Sequence, residues 1–245
     1  MKKRASLSGL ESGFSLLELI IAMTITVIIA GLASTLLAQA LNVRTRAHQQ
    51  VDSLADAQRA LNIMSREIAD AGFNLSDNGI VAADSVTDAN GNSSIRIRSN
   101  LNKFKTSAST AAQNGIGVVG EDAGEDIKYF VYPAANTTLL ARYDAYAVAG
   151  GSSTVLANRL DSLHIHYFSQ KVTYSTSAAA GVSRGCDISG ASLGEVAPNS
   201  ATYVVIAVCV RLDAVGAPGS PGYQPATNVL LVSDVALRNS NLSIY

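Results

Sequence analysis

Cysteine, proline and charge are all scarce in this chain of 245 residues. Two cysteines are too few for a disulfide-dense scaffold or a four-cysteine zinc site. Five prolines, none before Pro133, leave the first half of the chain free of the strongest helix breaker. With 19 glycines they give neither a collagen-like nor a proline-rich composition. Charged residues make up 15%, well below the roughly 25% of an ordinary soluble domain. The two signs nearly cancel, 18 Lys+Arg against 19 Asp+Glu, so nothing in the balance attracts nucleic acid and none is expected as a partner. An apolar fraction of 48% is ordinary and excludes a disordered chain. The length suits one large domain or two small ones, and the distribution of charge matters more than its total.

Residues 1–13 carry Lys2, Lys3 and Arg4 against the single acid Glu11. The run that follows, residues 14–43, has one charged residue, Glu18, and the next is Arg44. From Leu19 to Val43 lie about 25 residues without charge, enough for a helix to span a bilayer core, which needs about 20. Basic residues on the N-terminal side predict that this end stays in the cytoplasm and that the chain beyond about residue 43 is exported. A cleaved secretory signal has a shorter apolar run, about 7–15 residues, and does not begin it with a carboxylate. A plain signal anchor fits the length but explains neither Glu18 nor the sharp edge at Gly13-Phe14. An acid in a membrane segment costs on the order of 2.5–3.5 kcal/mol near the centre and less near an interface, so it calls for a partner and a role.

The residues Gly13-Phe14-Ser15-Leu16-Leu17-Glu18-Leu19 resemble the class III signal of type IV prepilins and type II secretion pseudopilins. The resemblance implies that a membrane-embedded prepilin peptidase cuts after Gly13 and methylates the new amino terminus of Phe14. Glu18 then becomes the fifth mature residue, and the apolar run remains as the stem. The α-amino group of Phe14 would be a positive charge at a helix N-terminus, where a carboxylate is favoured. Glu18, one turn in, can meet the amino terminus of a neighbouring subunit when stems pack side by side, which supplies both register and a reason for an acid there.

No helix breaker appears between Ala40 and Ala71. Apolar or small residues recur at Val51, Leu54, Ala57, Leu61, Met64, Ile68 and Ala71, a helix period with one stripe to bury, and Gly72 is a natural stop. A helix from Phe14 to about Ala71 would hold about 58 residues and extend about 87 Å. Two helices with a break near 42–50 are the alternative. Gly31 inside the apolar half permits a bend or a close helix contact. The segment Arg66-Glu67-Ile68-Ala69-Asp70-Ala71-Gly72-Phe73 is similar to the helix end of PilW-type minor pilins and J-type minor pseudopilins, and residues 233–239, SDVALRN, to the last strand of those families.

Beyond residue 73 the period becomes that of strands. Asn90-Gly91 signals a hairpin turn before the alternating Ser94–Arg98. Further strands are expected at Ile127–Tyr132, Thr138–Tyr143, Leu160–Phe168, Tyr203–Leu212 and Asn228–Leu237. Loops are expected at 105–117, 144–154, 175–202 and 214–227. The fold class is therefore α+β: a long N-terminal helix, its first half transmembrane, packed against a C-terminal antiparallel β-sheet head. The expected organisation is a leader at 1–13, the helix at 14–72 spanning the membrane to about 43, and a periplasmic head at 73–245. Cys186 and Cys209 would close a 24-residue loop, worth roughly 3 kcal/mol if the exported head lets them oxidise. Two free buried thiols are the alternative.

Candidates for chemistry are thin. Gly115-Ile116-Gly117-Val118-Val119-Gly120 matches G-x-G-x-x-G by spacing, but no strand precedes it and acids follow, so it is expected to be a loop. His164 and His166 share a strand face without a third ligand at a convincing spacing, and are expected to be surface or edge histidines. Glu121, Asp122, Glu125 and Asp126, and the turn Asp88-Ala89-Asn90-Gly91-Asn92, are oxygen-rich but lack the order of a calcium loop; solvated loops are expected. No Ser/His/Asp arrangement or G-x-S-x-G is present, so neither enzymatic activity nor a cofactor nor a metal is expected.

The resemblance to PilW-type proteins implies a minor pilin acting in assembly or priming of a type IV pilus. It would reside in the inner membrane with a periplasmic head before assembly and in the pilus afterwards. Its partners would be prepilin peptidase, other minor pilins, the major pilin and the inner-membrane assembly platform. A J-type minor pseudopilin of a type II secretion system and a pilus-tip adhesin are the alternatives.

Overall fold

The computed structural model describes residues 15–101, 122–134, 137–147, 151–176 and 186–239. One helix, α1 (Leu16–Ala69, 54 residues), runs unbroken through positions 42–50. It is followed by β1 (Ile95–Arg98), β2 (Asp126–Ala134), β3 (Thr137–Asp144), β4 (Ser152–Ala157), β5 (Leu160–Phe168), β6 (Tyr203–Leu212) and β7 (Thr227–Ala236). All ladders are antiparallel. The strands make two sheets, β1-β2-β3-β4 and β5-β6-β7, where a single sheet was the economical expectation. Asn92 and Ser93 link them: the Ser93 N–H donates to the Leu163 carbonyl at 2.7 Å, and the Ile165 N–H donates to Ser93 Oγ at 3.1 Å.

The helix seam explains the core. Ala57, Ala60, Leu61, Met64 and Ile68 are fully buried in one core with Val204, Ile206, Val208 and Val210 of β6, Leu163 and Ile165 of β5, and Tyr129 of β2, and α1 itself lies against β6 and β7 of one sheet and β4 of the other. Above Ala57 the buried line differs from the apolar stripe expected. Val51 is 65% exposed, and the line passes instead through Ser53, Gln49, Arg46 and Asn42. At Arg46 and Asn42 the helix meets backbone carbonyls of the head rather than a core, whereas Gln49 Oε1 is buried there without a hydrogen-bond partner.

The helix ends two residues before the expected stop. Ala71 N–H closes a tighter turn on the Ile68 carbonyl, and Gly72 N–H leaves the helix for the Arg98 carbonyl at 2.9 Å. Gly79 (φ +72°) lies against Gly72, where a Cβ would collide with the Gly72 amide and the Arg98 carbonyl, so this crossing admits only glycine. The last carbonyls are closed by the C-terminal segment: Arg238 N–H bonds the Ala69 carbonyl at 3.2 Å, and Asn239 Nδ2 bonds that of Ala71 at 3.2 Å. Segments 66–73 and 233–239 therefore meet in space.

Charge pairing ties the helix to the four-stranded sheet. Glu67 accepts from the Tyr129 hydroxyl and from Arg142 Nε at 3.0 Å, two residues opposite one another on β2 and β3. Burial and the adjacent Glu67 charge hold the Tyr129 phenol protonated far above its ordinary range. β4 corrects the expectation of a loop over 144–154. Its sequence Ser-Ser-Thr-Val-Leu-Ala hardly alternates, and pairing with β3 and burial of Ala157 define it instead.

Leu61→Ala should lower unfolding free energy by about 2–5 kcal/mol, as expected for a fully buried leucine. Val51→Ala should change it by no more than about 0.5 kcal/mol, because that side chain faces away from the head. Denaturant titration of the full chain in detergent checks both.

Candidate functional site

The first half of α1 has no protein around it. Every residue from Leu16 to Leu41 is exposed, and the segment is long and apolar enough to cross a membrane. Its four hydroxyls are all bonded within the helix. Thr24 donates to the Ile21 carbonyl at 2.8 Å, Thr26 to Ala22 at 2.7 Å, Ser34 to Ala30 at 2.7 Å and Thr35 to Leu32 at 2.8 Å. Their burial in lipid or among other helices therefore leaves no unpaired donor. Space around Gly31 is open, so an adjoining helix can approach there. Glu18 stands in the first turn of α1, where the unsatisfied N–H groups favour negative charge. Gly13 and Phe14 lie outside the described residues.

The second built feature covers the outer face of β5-β6-β7. Phe168, Val172, Tyr203 and Val205 form a separate small core, with Tyr174, Ile188 and Leu193 packed against it. Strand β6 is thus buried on both faces. Cys186 and Cys209 are disulfide-bonded with Cα atoms 5.5 Å apart, which pins the covering segment to the centre of the sheet. His166 fastens the same segment. Its Nε2 is 2.8 Å from Asp187 Oδ1 and its Nδ1 is 2.8 Å from Glu195 Oε1, while His164 Nδ1 lies 3.6 Å from Asp187. Burial disfavours both charged forms, but the hydrogen bonds outweigh it: His166 is raised above its ordinary 6.5 and Asp187 lowered below its ordinary 3.8. The histidines are edge-strand residues as expected, now with a clasping role that spacing alone did not show. Acids 21 and 29 residues further along the chain supply the partners.

The remaining sequence candidates are accounted for structurally. The G-x-G-x-x-G segment and Glu121 lie outside the described residues. Glu125 and Asp126 are buried, which corrects the expectation of a solvated acidic loop. Asp126 takes a two-point bond from Arg96 (2.7 and 2.8 Å) and one from Arg98 at 3.1 Å. Glu125 accepts the N–H groups of Leu101 at 2.8 Å and Asp122 at 3.1 Å. Arg96 also reaches Asp84 at 2.7 Å, and that bond, with one from Lys128, holds the Asp84 carboxyl below the usual range. Asp88 closes its own turn by accepting from the N–H groups of Asn90 and Asn92. Among the described residues no group of three or more His, Cys, Asp or Glu is placed to hold a metal. The residues missed in the sequence are Asn42 and Arg46, which dock the head loop after β6. Their signal was a polar line at 42, 46, 49 and 53 running at helical spacing into the apolar one.

An apolar helix left bare and rooted in a β-rich head defines a stalked protein whose stalk is covered by lipid or by other helices. The comparison with known families identifies which. The model of the prokaryotic N-terminal methylation motif matches residues 10–34, a span that includes Gly13, Phe14, Glu18 and the first half of the exposed helix. No curated protein and no solved structure matches the chain significantly. Over that span the chain is type IV prepilin-like, and the family that the motif defines is a structural one.

The clasp sets a pH dependence. With its pKa raised in the fold, His166 contributes stability that is complete below about 6.5 and lost as pH rises through the folded value. The lowered Asp187 contributes above about 3.8 and loses that contribution as pH falls through its folded value. Thermal melts of the oxidised chain should therefore decline from mildly acidic to mildly alkaline pH, and His166→Asn should flatten that decline.

Proposed function

We propose that this protein is a minor pilin that acts in the assembly or priming of a type IV pilus. The observation that carries the reading is the bare first half of α1: charge-free after Glu18, exposed from Leu16 to Leu41, and overlapped by the methylation motif at residues 10–34. In this reading residues 1–13 are a leader removed by prepilin peptidase after Gly13, leaving a methylated amino terminus on Phe14. Residues 14–72 are the stem, in the inner membrane to about residue 43, and residues 73–245 form the periplasmic head. Other minor pilins, the major pilin and the assembly platform are the partners.

Glu18 supplies the selectivity. Among packed apolar stems its carboxylate needs a cation, and the Phe14 amino group of an adjoining subunit is the one such group at that level. A stem shifted along its neighbour leaves the acid unpaired, at a cost of about 3–5 kcal/mol. Assembly thereby fixes the axial step without any contact between heads.

A tip-adhesin reading has one observation in its favour. A polar cleft of about 850 Å³ opens where the two sheets diverge, walled by Asp88, Asn92, Val131, Arg159, Asp161 and Arg211. If the cleft holds a surface ligand, Arg211→Ala should abolish adherence of piliated cells while leaving pilus number unchanged.

Intact mass of membrane-extracted protein should correspond to a chain starting at Phe14 with one added methyl; a retained leader in cells with active peptidase overturns the assignment. Glu18→Ala should stay in the membrane yet enter fibres about a hundredfold less or worse, the equivalent of losing about 3 kcal/mol. Quantitative immunoblots of sheared fibres against membranes measure this.

A further inference from the structure

Between β6 and β7 the chain makes a lobe, 213–227, and from Ala214 to Ser233 the sequence contains no charged residue. Val215 and Gln224 close it with two backbone hydrogen bonds of 2.9 Å each. The lobe belongs to neither core. It lies along α1 at Gln39, Asn42 and Arg46, one helix face at spacings of three and four. Arg46 donates to the Asp213 carbonyl, to the Pro225 carbonyl at 3.0 Å and to Thr227 Oγ1 at 2.7 Å. Asn42 Nδ2 approaches the Pro221 carbonyl at 3.5 Å. Gly222 (φ +76°) is pressed against Gln39 so closely that a Cβ would meet that residue's Cα and Cγ. The docking is specific, and it occurs where the apolar run gives way to Arg44 and Arg46.

That contact fixes a depth. Irregular backbone exposed to lipid does not occur within the hydrocarbon layer, because its polar groups have no partners there. The helix has therefore left the hydrocarbon by Gln39. Counting back about 20 residues, or about 30 Å of helix, from Ala38 arrives at Leu19, the residue after Glu18. Glu18 and Gln39 bracket one bilayer thickness, and the lobe stands at headgroup level. Its residues Ala214, Ala217, Pro218 and Gly219 are exposed and uncharged, so acidic headgroups do not repel it. Arg44, exposed at the same level, presents a cation to lipid phosphate.

We propose that the lobe 213–227 is a foot that rests on the lipid headgroups of the leaflet on the head's side and holds the head at fixed height and tilt over the bilayer. This rests on the reading of the first half of α1 as a membrane span. The partner is the lipid surface itself, and Arg46 is the tether that aims the foot at it.

Depth-dependent quenching in the full chain tests the proposal. Because Cys186 and Cys209 are bridged, one added cysteine can carry an environment-sensitive fluorophore: Ala33→Cys in the span, Ala217→Cys in the lobe, or Ala191→Cys, exposed on the disulfide-pinned segment. The protein is reconstituted in phosphatidylethanolamine/phosphatidylglycerol vesicles with quencher at headgroup level or at the acyl-chain centre. The Ala217 label should be quenched severalfold more by the headgroup quencher than the Ala191 label, and little by the deep one. The Ala33 label should show the opposite depth preference. In an Arg46→Ala background the Ala217 signal should fall towards that of Ala191. An Ala217 label no more quenched than Ala191, with Ala33 still quenched, overturns the foot and leaves the membrane reading standing. An unquenched Ala33 label overturns both.

Discussion

A single uninterrupted helix has to satisfy two surroundings that demand opposite surfaces, and most of the structure follows from how it does so. Lipid or neighbouring stems require a surface without charge and without unpaired donors. A soluble head requires one buried seam and solvated flanks. From Leu19 to Ala38 the helix meets the first condition on every face, even returning its hydroxyls to its own carbonyls. From Ala57 to Ile68 it meets the second, with small and apolar residues locked between two sheets. The change between these regimes is made by a third surface, the polar line Asn42, Arg46, Gln49 and Ser53.

The head is organised around β6, which among the described residues is the one strand buried along almost its whole length. Its inner face takes the helix. Its outer face is sealed by a segment with little regular structure, held by a disulfide, a small aromatic core and a histidine between two carboxylates. Each fastening acts on a different part of the segment: Cys186 at its middle, Asp187 and Glu195 after it, and Tyr174, whose hydroxyl bonds Asp234 at 2.5 Å, before it. A segment too poor in apolar residues to hold itself down by packing is instead fixed by a few strong directional links.

The helix, the strand positions and the prepilin-like start could be read because each depends on local periodicity or a contiguous motif. β5 and β6 have the bounds that alternation and β-branched content predict, and β1, β2, β3 and β7 differ by one or two residues. What could not be read depends on partners distant in the chain. Val51 fits the helical stripe by spacing, yet the head stops short of it. β4 lacks a pattern of its own and exists because β3 offers an edge. Glu125 and Asp126 look like solvent-facing acids until Arg96, Arg98 and two backbone amides converge on them. The role of His166 required acids that lie inside the disulfide loop Cys186–Cys209.

The closure of the helix end by Arg238 and Asn239 carries a consequence for biogenesis. The long helix emerges first from the ribosome, and its seam at Leu61, Met64 and Ile68 stays uncovered until β6 and β7 have followed. Its last carbonyls wait for Arg238 and Asn239, the latter 168 residues beyond Ala71. A truncated translation product would keep a complete membrane segment attached to an unfinished, sticky head, well suited to being anchored and poorly suited to being released. Only a chain translated past Asn239 can close the helix end and cover the seam that α1 exposes.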